Sequence, residues 1–192
     1  MKNNILVAFG IIMLLSCCFP LEMLGRHLPW IGNIPMGYDR DIIIKVLNKS
    51  YSDYEIIYQG STSCHLKYKG GRNPFSDTQD NNFDVFFRFD KDQKLCEITA
   101  RLNSAKLKEF ENLYSVVGLR FVDNEIANMT EKLGFSPNHK YEYATGGDRG
   151  VLRNDLYDVY FWQFEDGIIR VEYGFYKSTG SLGMLIIKMK LE

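Results

Sequence analysis

Apolar and polar residues alternate along much of the chain, which is the pattern of half-buried β-strands. The alternation predicts eight strands, over residues 54–59, 63–69, 83–89, 95–102, 140–144, 156–164, 168–177 and 182–190. Apolar residues at helical spacing predict three helices, over 39–49, 106–117 and 123–133, although the consecutive isoleucines 42–44 leave strand as an alternative for the first. The expected fold class is therefore α+β, with helices packed on one face of antiparallel sheet.

One hairpin pattern occurs twice. Residues 83–96 read FDVFFRFDKDQKLC and residues 157–169 read YDVYFWQFEDGII, each with an acidic turn between apolar runs. In the second copy, Asp166-Gly167 predicts a tight turn in which glycine supplies a positive φ. The repeat predicts a tandem duplication of a helix-plus-sheet unit, with units at 39–103 and 123–192 joined by a helix at 104–122. Two aromatic hairpins that look alike by chance are the alternative.

The N-terminus carries an export signal. Lys2 precedes an apolar run over residues 5–15, which has the length of a signal-peptide core and is short for a membrane span. The run ends in Leu14-Leu15-Ser16-Cys17, which resembles the lipobox of bacterial lipoproteins. The resemblance implies removal of the signal peptide 1–16 and a lipid, palmitate included, on Cys17, followed by a tether over 17–38. Ordinary secretion and an uncleaved anchor are the alternatives.

The same resemblance implies a location. The residue after Cys17 is Cys18 rather than aspartate, which by resemblance to enterobacterial sorting indicates the outer membrane, with the protein facing the periplasm. The lipoprotein signal, followed by helix-and-sheet units, resembles the small outer-membrane lipoproteins of the SmpA/OmlA type. The doubled unit resembles the β-lactamase inhibitor protein fold, which implies a broad sheet that grips a protein partner.

Net charge excludes two classes of partner. The chain has 23 basic and 24 acidic residues, a net charge of −1. That near balance gives no footprint for nucleic acid or for an anionic membrane surface. The expected membrane contact is therefore the lipid anchor alone.

Two cysteines outside the signal region, Cys64 and Cys96, predict a disulfide bond, because an even pair in an exported domain is commonly oxidised. Two separate buried thiols are the alternative. Two cysteines without a CxxC spacing lack the ligands for a metal site. We therefore expect neither a metal nor a cofactor.

No pattern of catalytic residues emerges. The three histidines, His27, His65 and His139, are scattered, and no serine lies in a G-x-S-x-G motif. The sequence therefore predicts a protein that is not an enzyme. A hydrolase would gain support only if the fold brought His65 or His139 against an acid and a nucleophile.

One sheet face has the composition of a protein-binding surface. Trp, Tyr and Arg interleaved on a surface are typical of binding hot spots. The predicted partner-binding residues are Phe86, Arg88, Tyr160, Trp162, Arg170, Glu172 and Tyr176. Internal packing of the same side chains is the alternative. The expected function is a non-catalytic, lipid-anchored envelope protein that binds an unidentified protein in an inhibitor, immunity or envelope-assembly role; a carrier of lipid or another apolar ligand is the alternative.

Overall fold

The computed structural model describes residues 26–29, 34–50, 54–59, 64–68, 83–111, 115–143, 156–175 and 181–192, called the described part below. It contains three helices and eight strands. The helices are α1 (Arg40–Ser50), α2 (Ser104–Glu111) and α3 (Ser115–Leu133). The strands are β1 (Tyr54–Gln59), β2 (Cys64–Tyr68), β3 (Phe83–Phe89), β4 (Leu95–Leu102), β5 (Asn138–Tyr143), β6 (Leu156–Gln163), β7 (Gly167–Phe175) and β8 (Leu182–Leu191).

All eight strands form one antiparallel sheet in the order β1-β2-β3-β4-β8-β7-β6-β5. Each set of four strands is a meander, and the two sets meet where the last strand of each pairs with the other. At that junction Ile98 lies opposite Met189 and Ala100 lies opposite Ile187. The predicted α+β class is confirmed.

The hydrophobic core lies between the sheet and the helices, on what we call the helix face of the sheet. In β3 the alternate residues Phe83, Val85, Phe87 and Phe89 are buried, as period-two alternation requires. They belong to one cluster with side chains from all three helices and from β4, β6, β7 and β8. The helix contributions are Ile43, Leu47, Phe110, Val122 and Met129. Both halves of the chain thus contribute to this cluster.

Local signals fix several element ends. The Asn103 side chain caps α2, since its Oδ1 accepts a hydrogen bond from the backbone N–H of Lys106 at 2.9 Å. Helix α3 ends at Leu133, and the next residue, Gly134, has a φ of +74° and donates its N–H to the Thr130 carbonyl. In the β3–β4 turn, Asp90 Oδ1 accepts the N–H groups of Asp92 and Lys94, both at 2.9 Å. Asp90 is therefore explained by turn chemistry.

Residues 26–29 run across the end of the β6–β7 hairpin. The Leu28 N–H donates to Asp166 Oδ1 at 2.7 Å, and the Glu165 N–H donates to the Arg26 carbonyl at 2.9 Å. Leu28 is buried, and the Arg26 guanidinium lies 4.1 Å from the centre of the Phe135 ring. We call residues 26–29 the strap, because they hold the N-terminal side of the chain against this turn.

The division into units differs from the prediction. A boundary between a connecting helix at 104–122 and a second unit at 123–192 falls inside α3, which is continuous from Ser115 to Leu133. The repeated pattern is also out of step with the topology. Its first copy is the third and fourth strands of one meander, whereas its second copy is the second and third strands of the other. No helix in the described part is long and apolar enough to cross a membrane.

Candidate partner-binding surface

The predicted partner-binding residues divide between the two faces of the sheet. Trp162 lies on the helix face and is 0% exposed. Its Nε1–H donates a hydrogen bond of 2.9 Å to the Phe135 carbonyl. The side chain is thus sealed under other parts of the same chain, and the prediction that Trp162 contacts a partner is wrong.

Tyr160 lies on the same helix face as Trp162, at its edge, and is half-buried. Its ring stacks on that of Tyr173, with centroids 6.2 Å apart, and lies 4.5 Å from the ring of His139. The prediction that Tyr160 shares a face with Arg170 and Glu172 is wrong because the hairpin register is shifted by one residue. Tyr160 lies opposite Val171, and Trp162 lies opposite Ile169.

The opposite side of the sheet, which we call the polar face, carries the other predicted residues that the structure describes. Cross-strand pairing places Phe86 and Arg88 of β3 on the same face as Arg170 and Glu172 of β7. Tyr176 lies outside the described part. The polar face is therefore the part of the predicted surface that the fold assembles.

Two ion pairs order the polar face. Arg88 Nη2 lies 3.0 Å from Glu97 Oε2, and Arg170 Nε lies 3.2 Å from Glu172 Oε1. The Arg88 side chain is 41% exposed, whereas that of Glu172 is only 1% exposed. Arg88 can therefore reach a partner, whereas the Glu172 carboxylate is buried and holds its neighbour Arg170 in place.

Accessible cations lie at the centre of this face. Arg101 of β4 and Lys190 of β8 are exposed, and Lys188 of β8 is half-buried. The Arg101 guanidinium lies 5.6 Å from the centre of the Phe86 ring. Within the described part, neither lysine lies within ion-pair distance of a carboxylate. We call Arg88, Arg101, Lys188 and Lys190 the cationic strip.

The polar face of β3–β8 has an excess of positive charge although the whole chain has a net charge of −1. Its described ionic side chains are the cations Arg88, Arg101, Lys140, Arg170, Lys188 and Lys190 and the anions Asp84, Glu97 and Glu172. Glu142 occupies a further position on this face, opposite Tyr157, and a net excess of cations remains. Within the described part, charge is thus distributed unevenly, with the cations concentrated on the polar face of β3–β8.

Sequence reasoning missed Arg101, Lys188 and Lys190. The alternation in β8 does show that Lys188 and Lys190 share a face, because a single residue, Met189, lies between them. Nothing local, however, shows that β8 pairs with β4 and so places Lys188 opposite Thr99 and Lys190 opposite Glu97. The strip is produced by a pairing between residues about 90 positions apart in the chain, which sequence periodicity does not report.

The predicted disulfide bond is not formed. Cys96 is a free cysteine, and its Sγ donates to the Arg88 carbonyl at 3.4 Å. Cys64 belongs to β2 and Cys96 to β4, with β3 between them. Two strand spacings amount to about 9.5 Å, which exceeds the Cα separation of about 4.4–6.8 Å that a disulfide bond permits. Burial raises the pKa of the Cys96 thiol, and the nearby Arg88 charge lowers it in part.

His139 does lie against an acid. Its Nε2 is 2.8 Å from Asp158 Oδ1, at the outer end of the helix face. The neighbouring side chains are Tyr160, Tyr141 and, one ring further, Tyr173. Burial, and then the Asp158 charge, raises the pKa of the Tyr173 phenol, which keeps it protonated. Among the described residues that contact this pair there is no serine or cysteine.

The carrier hypothesis places an apolar ligand between sheet and helices. In the described part that space is filled by side chains, among them Trp162, Phe83 and Phe87, each at most 2% exposed. The structure describes no group of three or more His, Cys, Asp or Glu side chains there that could hold a metal ion.

Fold and surface together define a class of protein: an α+β domain with one broad antiparallel sheet, helices on one side and a cationic polar face on the other. Comparison with known proteins does not narrow that class, because no family model, no curated protein and no solved structure matches the chain.

Proposed function

We propose that this chain is a non-catalytic binding protein of the bacterial cell envelope, anchored by a lipid on Cys17, that binds an acidic surface of a protein partner through its polar face. The observation that carries the proposal is the cationic strip, in which Arg101, Lys188 and Lys190 lie accessible on the central strands β4 and β8. Inhibition of an enzyme, immunity to a toxin and envelope assembly are all roles that such binding would serve.

The strip suits protein recognition because strands hold its side chains at fixed spacing. Lys188 and Lys190 are two residues apart on one strand, hence about 7 Å apart along it. Phe86, which is half-buried beside Arg101, supplies an apolar contact next to the charges. Complementary charge across an interface mainly accelerates association and excludes partners of the wrong sign, so we expect strong dependence on ionic strength.

The strap gives the anchor a defined attachment point on the domain. Arg26, its first residue, is nine positions after Cys17. An extended chain spans at most about 3.5 Å per residue, so the β6–β7 turn would stay within about 30 Å of the lipid. The proposal therefore directs the Glu165-Asp166 end of the sheet towards the membrane.

The binding proposal is tested in the full chain within a bacterial envelope. A photo-crosslinking amino acid replaces Arg101 on the polar face, and in a matched variant it replaces Arg120, which is exposed on α3. We expect one protein to be captured at position 101 and not at position 120. With that protein purified, the double substitution Lys188→Glu and Lys190→Glu should weaken binding at least about tenfold at low salt, because the reversed charges would repel an acidic surface and slow association.

The matched control for the charge reversal is the double substitution Lys108→Glu and Arg120→Glu, which makes the same change in net charge at exposed positions of α2 and α3. It should leave the affinity within about twofold of the wild type, since screening confines the effect of distant charges. Equal loss in both double variants, or an affinity that does not fall with salt, would contradict the proposed surface.

The anchor is tested separately. The substitution Cys17→Ser should abolish incorporation of radiolabelled palmitate and release the protein from the membrane fraction, because the sulfur that receives the diacylglycerol is gone. Cys18→Ser, the matched control, should label as the wild type does. Labelling that persists in Cys17→Ser would place the lipid elsewhere. A protein that carries no label in either the wild type or Cys17→Ser and stays in the membrane fraction in both would favour the uncleaved-anchor alternative.

We propose, in addition, that the two meanders descend from one duplicated helix-plus-sheet unit. What supports this is the mirrored strand order, in which α1 precedes β1–β4, α3 precedes β5–β8, and the last strands pair at the centre. On this view β3 corresponds to β7 and β2 to β6. The sequence match between residues 83–96 and 157–169 aligns β3 with β6. The strand order instead aligns β3 with β7, so on this view that sequence match is a coincidence.

A further inference from the structure

Strand β5 is the outermost strand of the sheet, and in the described part β6 is the strand that pairs with it. Its residues Asn138, His139, Lys140 and Tyr141 are all exposed, with Tyr141 at 61%. It pairs with β6 in an unbroken register over six residues. An edge of this kind presents a row of backbone N–H and C=O groups that another strand can pair with.

The opposite edge of the sheet is built differently. Strand β1 has a shift in register between Ile56 and Tyr58, where it pairs with β2. Such irregularities twist an edge strand and interrupt its ladder, which hinders the addition of a further strand. Of the two edges, β5 is therefore the one prepared to accept a partner strand.

We propose that β5 pairs antiparallel with the β5 strand of a second copy of this chain, with the two-fold axis at Tyr141. In this register Lys140 of each copy lies opposite Glu142 of the other, and Tyr141 lies opposite Tyr141. The polar faces of both copies then lie on one side of a continuous sheet, and the helices of both copies lie on the other side.

Charge selects this register over its neighbours. Lys140 and Glu142 occupy the same face, opposite Val159 and Tyr157 of β6. A slip of the second copy in one direction places Lys140 opposite Lys140, and a slip in the other direction places Glu142 opposite Glu142. Like charges directly opposite each other destabilise a pair of strands, whereas opposite charges stabilise it. Among the registers that keep both polar faces on one side, β5 therefore has complementary charges in the one centred on Tyr141. This self-complementarity is why we propose a second copy of the chain as the partner.

The first test uses disulfide trapping in the full chain, extracted in detergent. Residues opposite each other in an antiparallel pair have Cα atoms about 4.5–5.5 Å apart, which a disulfide can bridge. With mild oxidant, the substitution Tyr141→Cys should therefore give a cross-linked dimer on a non-reducing gel. Ile56→Cys is the matched control on the β1 edge, where Ile56 is 52% exposed. We expect at least about ten times more dimer from position 141, measured above the wild-type background of the native cysteines.

The second test reverses the charges. In the Tyr141→Cys background, Lys140→Glu and Glu142→Lys should each lower the cross-linked yield severalfold, because each creates two symmetry-related pairs of like charges. The two together should restore it, since opposite charges again face each other. Equal trapping at positions 141 and 56, no effect of either single reversal, or no recovery in the combined variant would each overturn the proposal. Circular dichroism that matches the wild type shows that each variant is folded.

Discussion

Replacing Trp162 by alanine should lower the free energy of unfolding by about 3–5 kcal/mol, the range for truncating a buried aromatic side chain. Trp162 is the largest fully buried side chain of the described part and belongs to the core cluster to which both halves contribute. Its removal leaves a cavity beside Ile169 and deprives the Phe135 carbonyl of its donor. Urea denaturation of the full chain, followed by far-UV circular dichroism, measures the change.

Two matched variants separate the contributions. Trp162→Phe keeps most of the apolar volume but removes the N–H donor, so it should cost about 1–3 kcal/mol, the penalty for an unsatisfied buried acceptor plus a smaller void. Val116→Ala truncates an apolar side chain that is 57% exposed and should change stability by less than about 1 kcal/mol. If Trp162→Ala unfolded at the wild-type denaturant concentration but lost partner binding, the indole would have to be a contact residue, and its burial in the core would be contradicted.

Trp162 also shows what the sequence could and could not predict about this hairpin. Periodicity correctly indicated that Tyr160 and Trp162 share a face, because this follows from the strand itself. Which residues of β7 accompany them depends on the turn. A three-residue turn through Glu165-Asp166-Gly167 would align Trp162 with Arg170. The observed register aligns Trp162 with Ile169, and one residue of slip moves both aromatic rings from the polar face to the core.

The sequence predicted the type and the extent of the helices and strands more fully. The predicted strand boundaries lie within two residues of those observed for all eight strands, because alternation and the flanking turn residues are local signals. The predicted helix over 106–117 joined α2 to the first residues of α3, and the predicted helix over 123–133 covered only the second part of α3. The apolar residues of its first turns, Val116, Val117 and Leu119, are exposed, so an amphipathic pattern could not reveal continuity there.

The order in which the strands pair could not be predicted from these local signals. The strand order places β3 between the two cysteines, and neither cysteine spacing nor parity contains that information. A bulge opposite Arg88 and Phe89 also leaves Cys96 as the additional residue of β4, which changes the direction of its side chain relative to Ile98. The cationic strip depends likewise on the β4–β8 pairing. Sequence thus predicted the elements, while tertiary pairing determined both the disulfide and the surface.

The second large effect on stability is expected from substituting Gly167. The sequence explains this glycine by a positive φ in the hairpin turn, but the structure does not, because Gly37 and Gly134 are the described glycines with positive φ. Gly167 is needed for space instead. A Cβ added there would overlap the Lys190 carbonyl oxygen and the Leu28 side chain, and it would lie 3.2 Å from the Leu191 Cα. Strand β8 and the strap both close on this one position.

Gly167→Ala should therefore destabilise the fold by about 3 kcal/mol, at the upper end of the cost of overpacking, because one of the overlapping atoms is backbone and cannot rotate away. Adding Leu28→Ala should relieve the side-chain overlap but not the one with Lys190, so the double variant should cost less than the two single changes combined. Gly134→Ala is the control for backbone conformation alone, since its φ is +74° and no atom lies within 4 Å of an added Cβ. That variant should cost about 1–2 kcal/mol, and Gly134→Asn less, because asparagine tolerates a left-handed backbone. If Gly167→Ala were as stable in urea as the wild type, the strap and β8 would not pack closely at this point. The attachment of the strap to the β6–β7 turn through this packing would then be contradicted.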